Sequence, residues 1–188
     1  MLENYLKKIN ILTDKEIEEI KSVGKKSNLK KADYFIREGE TCKDVAFVLS
    51  GTLRSYYVSD KGEEITYCIT FPNNFMTAYS SFITELSTEE NIQAITNVEL
   101  ITIPKSIIDV LANQSPNWVR FLRLMAEKQY IELEKRIFQL QKNNASQRYS
   151  DLLKNQPEYI EKIPLQYLAS YLGVSQRHLS RIRREISF

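Results

Sequence analysis

Cysteine and histidine are almost missing from this chain: 188 residues hold two cysteines, Cys42 and Cys68, and one histidine, His178. Two thiols can build neither a disulfide framework nor a four-thiolate metal site. A lone imidazole rules out a multi-histidine metal centre and histidine-rich catalysis. Long hydrophobic runs are also absent, since no window approaches the roughly 18 apolar residues of a membrane-spanning helix. The opening, Met1 to Glu16, is dotted with charges and lacks an apolar core followed by small residues, so it does not read as a secretory signal. A hydrophobic share of 43% with 27% charged residues excludes disordered, collagenous and low-complexity chains. These absences predict a reduced, cytosolic protein with one large domain or two small ones.

Glycine is scarce too, and its placement is informative. Three of the five glycines, Gly39, Gly51 and Gly62, sit in turn signals between aromatic and β-branched runs. The runs are Ala46 to Leu49, Leu53 to Val58 and Ile65 to Phe71, and Pro72-Asn73-Asn74 supplies a further turn. A turn about every ten residues from Leu29 to Ile103 predicts an antiparallel sandwich or barrel, with positive φ at those glycines. Before it, Leu6, Ile9, Leu12, Ile17 and Ile20 recur among charges, and Thr13 to Glu16 resembles a capping box.

After Pro104 the period becomes helical. A short helix is expected near 105–113, and a long one opens at Ser115-Pro116, with serine as cap and proline at the first helical position. It carries two apolar stripes, Val119, Leu122, Ala126, Leu133, Ile137 and Leu140, and Phe121, Leu124, Ile131 and Phe138. A helix of about 26 residues spans about 39 Å, more than a small barrel covers. One stripe is therefore expected on the β domain and the other on a second copy of the chain. The alternative is a single long helix wrapped by its own chain. Asn143 to Ser146 is the clearest domain break, which divides the chain into 1–114, 115–143 and 144–188.

Net charge is uneven across that break. Residues 1–144 carry 19 basic and 20 acidic side chains, a balance of −1, whereas residues 145–188 carry seven and four, a balance of +3. Four of the basic residues, Arg177, Arg181, Arg183 and Arg184, fall within eight positions. Alone, such a cluster can be a solvated face. Its setting points further. Pro164 opens a helix with Leu165, Leu168, Ala169 and Leu172 inside, Gly173 turns the chain, Val174 plugs the gap, and Ser175 caps a second helix. In that helix Leu179, Ile182 and Ile186 face inward, leaving Gln176, Arg177, Ser180 and Arg181 outward on the first two turns. A helix-turn-helix needs this division, because its second helix enters the major groove by its N-terminal end.

The chain resembles the Crp/Fnr family of bacterial transcription regulators. The resemblance rests on Ile36-Arg37-Glu38-Gly39-Glu40, Phe47-Val48-Leu49-Ser50-Gly51 and the string from Leu168 to Arg184, and it spans essentially the whole chain. It is closest to short-tailed members that end soon after Leu-Ser-Arg-Ile-Arg. The resemblance implies an α+β fold: an antiparallel β-roll (a double-stranded β-helix, jelly-roll-like), a long dimerisation helix and a small all-α helix-turn-helix domain. It also implies a homodimer on a palindromic operator in double-stranded DNA, RNA polymerase as a further partner, and no membrane. By the family's motif, DNA-binding positions fall on Ser175, Gln176, Arg177, His178, Ser180, Arg181 and Arg184. Gln176, Arg177 and Arg181 would meet base edges and Ser175 and Ser180 would lie near phosphates. Arg183 and Arg184, further along, would touch the DNA backbone if they touch DNA.

The sensor pocket departs from the family pattern. Cyclic-nucleotide binders carry Gly-Glu for the ribose and Arg-Ser or Arg-Thr for the cyclic phosphate. Alignment through Phe75 and Pro116 puts Thr77-Ala78 and Thr88-Glu89 at those positions, and Leu133 and Glu134 where the purine would be met. Both charged contacts are lost, and Glu89-Glu90 adds repulsion of about 4 kcal/mol for unit charges 4 Å apart at an effective dielectric of 20. Cyclic AMP is thus disfavoured. An iron–sulfur sensor needs about four cysteines, and a haem sensor usually draws on the roll for its histidine or cysteine whereas the one histidine, His178, lies in the recognition helix, so neither group is expected. The tentative effector positions Thr77, Ala78, Tyr79, Ser80, Thr88, Glu89, Leu133 and Glu134 suit a small neutral or cationic molecule, or else mark a vestigial pocket filled by aromatics.

Two other classes compete with a DNA-binding regulator. One is a ligand-binding module whose helix-turn-helix mediates protein contacts, against which the outward Arg177 and Arg181 argue. The other is an enzyme, for which the sequence has no Ser–His–Asp set, phosphate-binding glycine loop or metal spacing.

Overall fold

A computed structural model describes residues 1–186. The chain packs as two compact units: Met1–Ser55 with Ile69–Glu127, and Tyr56–Cys68 with the residues from Lys128 onward. In chain order the first elements are α1 (Leu2–Ile9), α2 (Asp14–Val23), β1 (Lys25–Leu29), β2 (Tyr34–Ile36), β3 (Asp44–Ser50), β4 (Leu53–Val58), β5 (Glu64–Thr70) and β6 (Phe75–Met76). They continue as α3 (Tyr79–Thr84), β7 (Asn91–Ala94), β8 (Val98–Pro104), α4 (Lys105–Gln114) and α5 (Pro116–Lys142). The last four are α6 (Ala145–Asn155), α7 (Pro157–Lys162), α8 (Leu165–Tyr171) and α9 (Gln176–Ile186).

The strands form two four-stranded sheets, in the orders β1-β8-β3-β6 and β2-β7-β4-β5. β8 pairs antiparallel with β1, which sets Lys25 opposite Thr102, and with β3, which sets Phe47 opposite Ile101. Strand β1 extends the sheet four residues earlier than the composition suggests. Its sequence, Lys-Lys-Ser-Asn-Leu, is polar because it is an edge strand, where lysines discourage pairing with another chain. The three turn glycines take φ of +88°, +82° and +76° as expected. Gly51 has a second constraint: a Cβ there would lie 2.2 Å from the Asn97 carbonyl oxygen. Any side chain would push the β3–β4 turn off the strand beside it.

The core of this unit joins both sheets to the helices around them. Phe47, Leu53, Ile92, Leu100 and Ile103 are fully buried, and so are Leu6, Ile17 and Ile20 of the opening helices. Tyr5, Phe47, Phe75, Phe121 and Trp118 form a chain of edge-to-face ring contacts with centroids 5.1–6.1 Å apart. Thr13 and Glu16 make the expected capping box at α2. The Glu16 carboxylate also accepts from Ser115 and Asn117 at the start of α5. Burial pushes this carboxyl up, but hydrogen bonds from Ser115, Thr13 and Asn117 outweigh it and hold its pKa at about 2.

On α5 neither apolar stripe is by itself the inner face. The residues buried in this unit are Trp118 and Phe121, with Leu122 and Met125 partly covered. Trp118 and Met125 belong to neither stripe, and Leu122 comes from the stripe of Val119, Leu133, Ile137 and Leu140. Elsewhere on that stripe Ala126 is half-buried, while Val119 at 54%, Leu133 at 42%, Ile137 at 52% and Leu140 at 44% are exposed. Tyr130 joins it at helical spacing and is 67% exposed. Leu124, Ile131 and Phe138 are exposed on another side.

Candidate nucleic-acid interface and sensor pocket

The second unit holds the helix-turn-helix. Helix α8 buries Leu168 and Ala169, and Leu172 follows it into the core. Gly173, at φ +67°, donates to the Ser170 carbonyl (3.0 Å), and Val174 donates to Ala169 (3.0 Å). An added Cβ on Gly173 would meet nothing closer than 3.7 Å, so the backbone conformation, not space, asks for glycine here. Ser175 then caps α9, its hydroxyl accepting from the His178 amide at 3.2 Å. Leu179 and Ile182 are buried, and Ile186 is half-buried.

That packing leaves one face of α9 outward. Ser175, Gln176, Arg177, Arg181 and Arg184 are exposed, and His178 and Ser180 are half-buried. Arg181 Nε lies 3.6 Å from Glu185 Oε1, an exposed pair one helical turn apart. Arg183 departs from the sequence expectation. It does not point with Arg184 toward a DNA backbone but turns inward and donates to the Ile160 carbonyl at 3.1 Å. The reason is its position one residue after Ile182, beside the buried stripe rather than opposite it.

Two more arginines, which sequence reasoning did not single out, hold the end of α8. Arg148 donates through Nε and Nη2 to the Leu172 carbonyl at 3.0 and 2.8 Å and through Nη1 to Asn143. Arg136 donates to the Tyr171 carbonyl and lays its guanidinium 3.8 Å from the Tyr171 ring centroid. Positive charge belongs at a helix C-terminus, where the last carbonyls have no intrahelical donor. Burial lowers the pKa of both guanidinium groups and raises those of the phenols of Tyr159 and Tyr171, whose rings tilt together at 5.3 Å. The arginines of this unit therefore divide into structural (Arg136, Arg148, Arg183) and outward (Arg177, Arg181, Arg184) sets.

The pocket positions are arranged differently. Thr77 ends the β6 turn and Ala78, fully buried, precedes α3. The Thr77 hydroxyl donates to the Asp44 carbonyl at 2.8 Å and lies 3.2 Å from the Cys42 thiol. Ser81, also buried, accepts from the Cys42 amide at 2.9 Å and donates to the Leu86 carbonyl. Thr88 is buried, with its hydroxyl accepting from the Glu90 amide at 3.1 Å. Tyr79, Ser80 and Glu89 are exposed. Leu133 and Glu134 belong to the second unit and are exposed there. Among the described residues no group of acidic, histidine and cysteine side chains could hold a metal ion. Nor is any helix long and apolar enough to cross a membrane.

One polar residue of the roll was missed. Arg54 on β4 is only 3% exposed and donates from Nη2 to Gln93 Oε1 on β7 at 2.7 Å. It sits within Leu53-Arg54-Ser55-Tyr56, all buried. An arginine in such a run is the one sequence signal that could have marked it.

Comparison with known proteins agrees with this architecture. The model of the cyclic nucleotide-binding domain family matches residues 26–115. The anaerobic regulatory protein of Haemophilus influenzae is 26% identical over 146 residues, 77% of this chain and 56% of its own. The transcriptional activator protein Anr of Pseudomonas protegens is 28% identical over 158 residues, 84% of this chain and 61% of its own. This chain thus spans about three fifths of the length of those two relatives. A solved structure from Eubacterium rectale, assigned to the crp/fnr family of transcriptional regulators, superimposes with a TM-score of 0.74 at 23% identity, covering 98% of this chain and 88% of that one. Residues 26–115 thus match the cyclic nucleotide-binding domain family, and the chain has the antiparallel β-roll and helices of the fold of those regulators.

Proposed function

We propose that the chain is a homodimeric, sequence-specific DNA-binding transcription regulator of the cytoplasm, with no enzymatic activity of its own. The observation that carries this reading is the outward row Gln176, Arg177 and Arg181 on a capped, well-packed second helix of a helix-turn-helix. Arginine can pair bidentately with guanine O6 and N7, and glutamine with adenine N6 and N7. In this reading 1–114 is the sensor, 115–143 the dimerisation helix and 144–188 the DNA-binding domain. The exposed row Val119, Tyr130, Leu133, Ile137 and Leu140 meets its counterpart on a second copy, since a run of large apolar residues on one helix face needs a partner. Paired recognition helices then read a palindromic operator, and RNA polymerase is the onward partner.

The roll does not fit a cyclic nucleotide. Ala78 offers no carboxylate to a ribose, and Thr88 offers no positive charge to a phosphate, its hydroxyl already accepting from Glu90. Thr77 and Ser81 satisfy the chain itself. The roll senses another effector or none.

Selection of bound fragments from a genomic DNA pool, followed by sequencing, tests the function. Enrichment of a palindromic site, bound in a gel-shift assay with salt-dependent affinity, is expected. Binding of no fragment at low salt would refute the reading and favour a ligand-binding module whose helix-turn-helix contacts protein.

A further inference from the structure

The tip of the β4–β5 hairpin, residues 56–68, falls in the compact unit of the helix-turn-helix, while the remaining ends of both strands fall in the first unit. The hairpin is well formed at its tip, where Ser59 accepts from Gly62 (2.8 Å) and donates to Glu63 (2.9 Å) through its backbone, with Gly62 at φ +76°. Its contact with α8 is specific. The Ser170 hydroxyl accepts from the Thr66 amide at 2.8 Å and donates to the Glu64 carbonyl at 2.8 Å. One side chain thus completes the donor and acceptor of a strand edge 104 and 106 residues away in sequence. Thr66 is only 1% exposed, so water cannot readily replace a lost partner of its amide.

We propose that Ser170 is the latch of a clasp that ties the β4–β5 hairpin to the first helix of the helix-turn-helix, so that movement of the hairpin is passed to the recognition helix. A side chain with one hydroxyl serves because it mimics a neighbouring strand, accepting and donating at once. Helix α8 carries the tie to α9 directly, since Val174 bonds back to Ala169, the residue before Ser170. The effect on DNA rests on the function proposed above; the clasp itself does not.

Ser170→Ala in the full chain removes the latch while favouring the helix, and Ser170→Thr keeps the hydroxyl. Hydrogen exchange of the Thr66 amide is expected to speed up at least about tenfold in Ser170→Ala and to return toward wild type in Ser170→Thr. Nitrogen-15 relaxation should show the hairpin tip, residues 56–68, moving more independently of residues 164–186 in Ser170→Ala only. Operator affinity should change at least about fivefold, because a coupled equilibrium has been shifted. Unchanged Thr66 exchange would overturn the clasp. Faster exchange with unchanged relaxation would overturn the coupling. Failure of the wild type to bind any DNA, with both spectroscopic effects present, would refute the DNA reading alone.

Discussion

Segment 77–90 and helix α9 both carry the polar residues that a binding site would need, and they use them in opposite ways. In the roll, Thr77, Ser81 and Thr88 each bond to backbone groups of the roll itself, at Asp44, Leu86 and Glu90. On α9 the apolar residues and the Ser175 cap do the folding, and Gln176, Arg177, Arg181 and Arg184 stand in solvent. Polar groups that satisfy a fold are poorly placed to recognise a ligand, because recognition would leave a buried backbone group without a partner. Polar groups that the fold does not need can be committed elsewhere. In the proposed reading, α9 keeps its polar groups free for DNA, while segment 77–90 commits its hydroxyls to the fold.

The largest effect is expected where α9 depends on a second copy. Charging the exposed seam with Leu133→Glu and Ile137→Glu should yield monomers in sedimentation. It should also weaken operator binding by about 10²–10⁴-fold, because each half-site loses the effective concentration supplied by its twin. Both residues are exposed, so neither substitution buries a charge in the described fold. A wild-type chain that sediments as a monomer at micromolar concentration would break the dimer proposal.

Single α9 substitutions come next. Arg181→Ala should cost about 1–3 kcal/mol on the cognate site and relax preference at one base pair. Arg184→Ala should weaken all sequences alike and flatten the salt dependence by about one unit. Arg177 stands where the family usually has glutamate, so the half-site should favour guanine there, where glutamate would accept from cytosine. Equal losses on cognate and scrambled DNA for Arg181→Ala would show that this residue contacts phosphate instead.

Stability should separate the two regions in the reverse sense. Ser81→Ala leaves the buried Cys42 amide without its acceptor and should cost about 1–3 kcal/mol in urea unfolding. Arg177→Ala removes an exposed side chain and should stay within about 0.5 kcal/mol of wild type. A pocket variant as harmless as the α9 variant would mean that the hydroxyl network is not structural.

What the sequence disclosed follows the same division. Helix α9 was legible because its signals are local: a proline, a glycine, a cap, and apolar residues at helical spacing within 23 positions, 164–186. The capping box at Thr13 and the positive-φ glycines were local too. What escaped depends on partners far along the chain. Strand β1 is polar and is defined only by pairing with β8, 69 to 77 residues later. Trp118 completes the inner face of α5 only because an aromatic chain reaches it from Tyr5, Phe47, Phe75 and Phe121. Arg183 looked like its neighbours until Ile160 supplied a carbonyl. The Thr77 and Ser81 bonds, likewise, go to Asp44 and to the Cys42 amide, more than 30 residues upstream.

The smallest effect is an expected blank, and it tests the roll directly. Cyclic AMP carries one phosphate charge and a ribose hydroxyl, and the family's binders meet each with a charged side chain. Here those positions hold Thr88 and Ala78, so two charge-assisted bonds worth about 1.5–3 kcal/mol each are gone. Their loss corresponds to a weakening of about 10²–10⁴-fold, enough to move a micromolar site to the millimolar range or beyond. The added repulsion from Glu89 is smaller than an effective dielectric of 20 suggests, because Glu89 is exposed, where water reduces about 4 kcal/mol toward about 1 kcal/mol at 4 Å. The missing clamp, not the added charge, is therefore the deciding quantity. Calorimetry at micromolar cyclic AMP should record no binding heat, and Glu89→Gln should not create any. Saturable binding in the wild type would mean that Thr77 or Ser81 gives up its internal bond to the nucleotide, and would erase the contrast between the roll and α9.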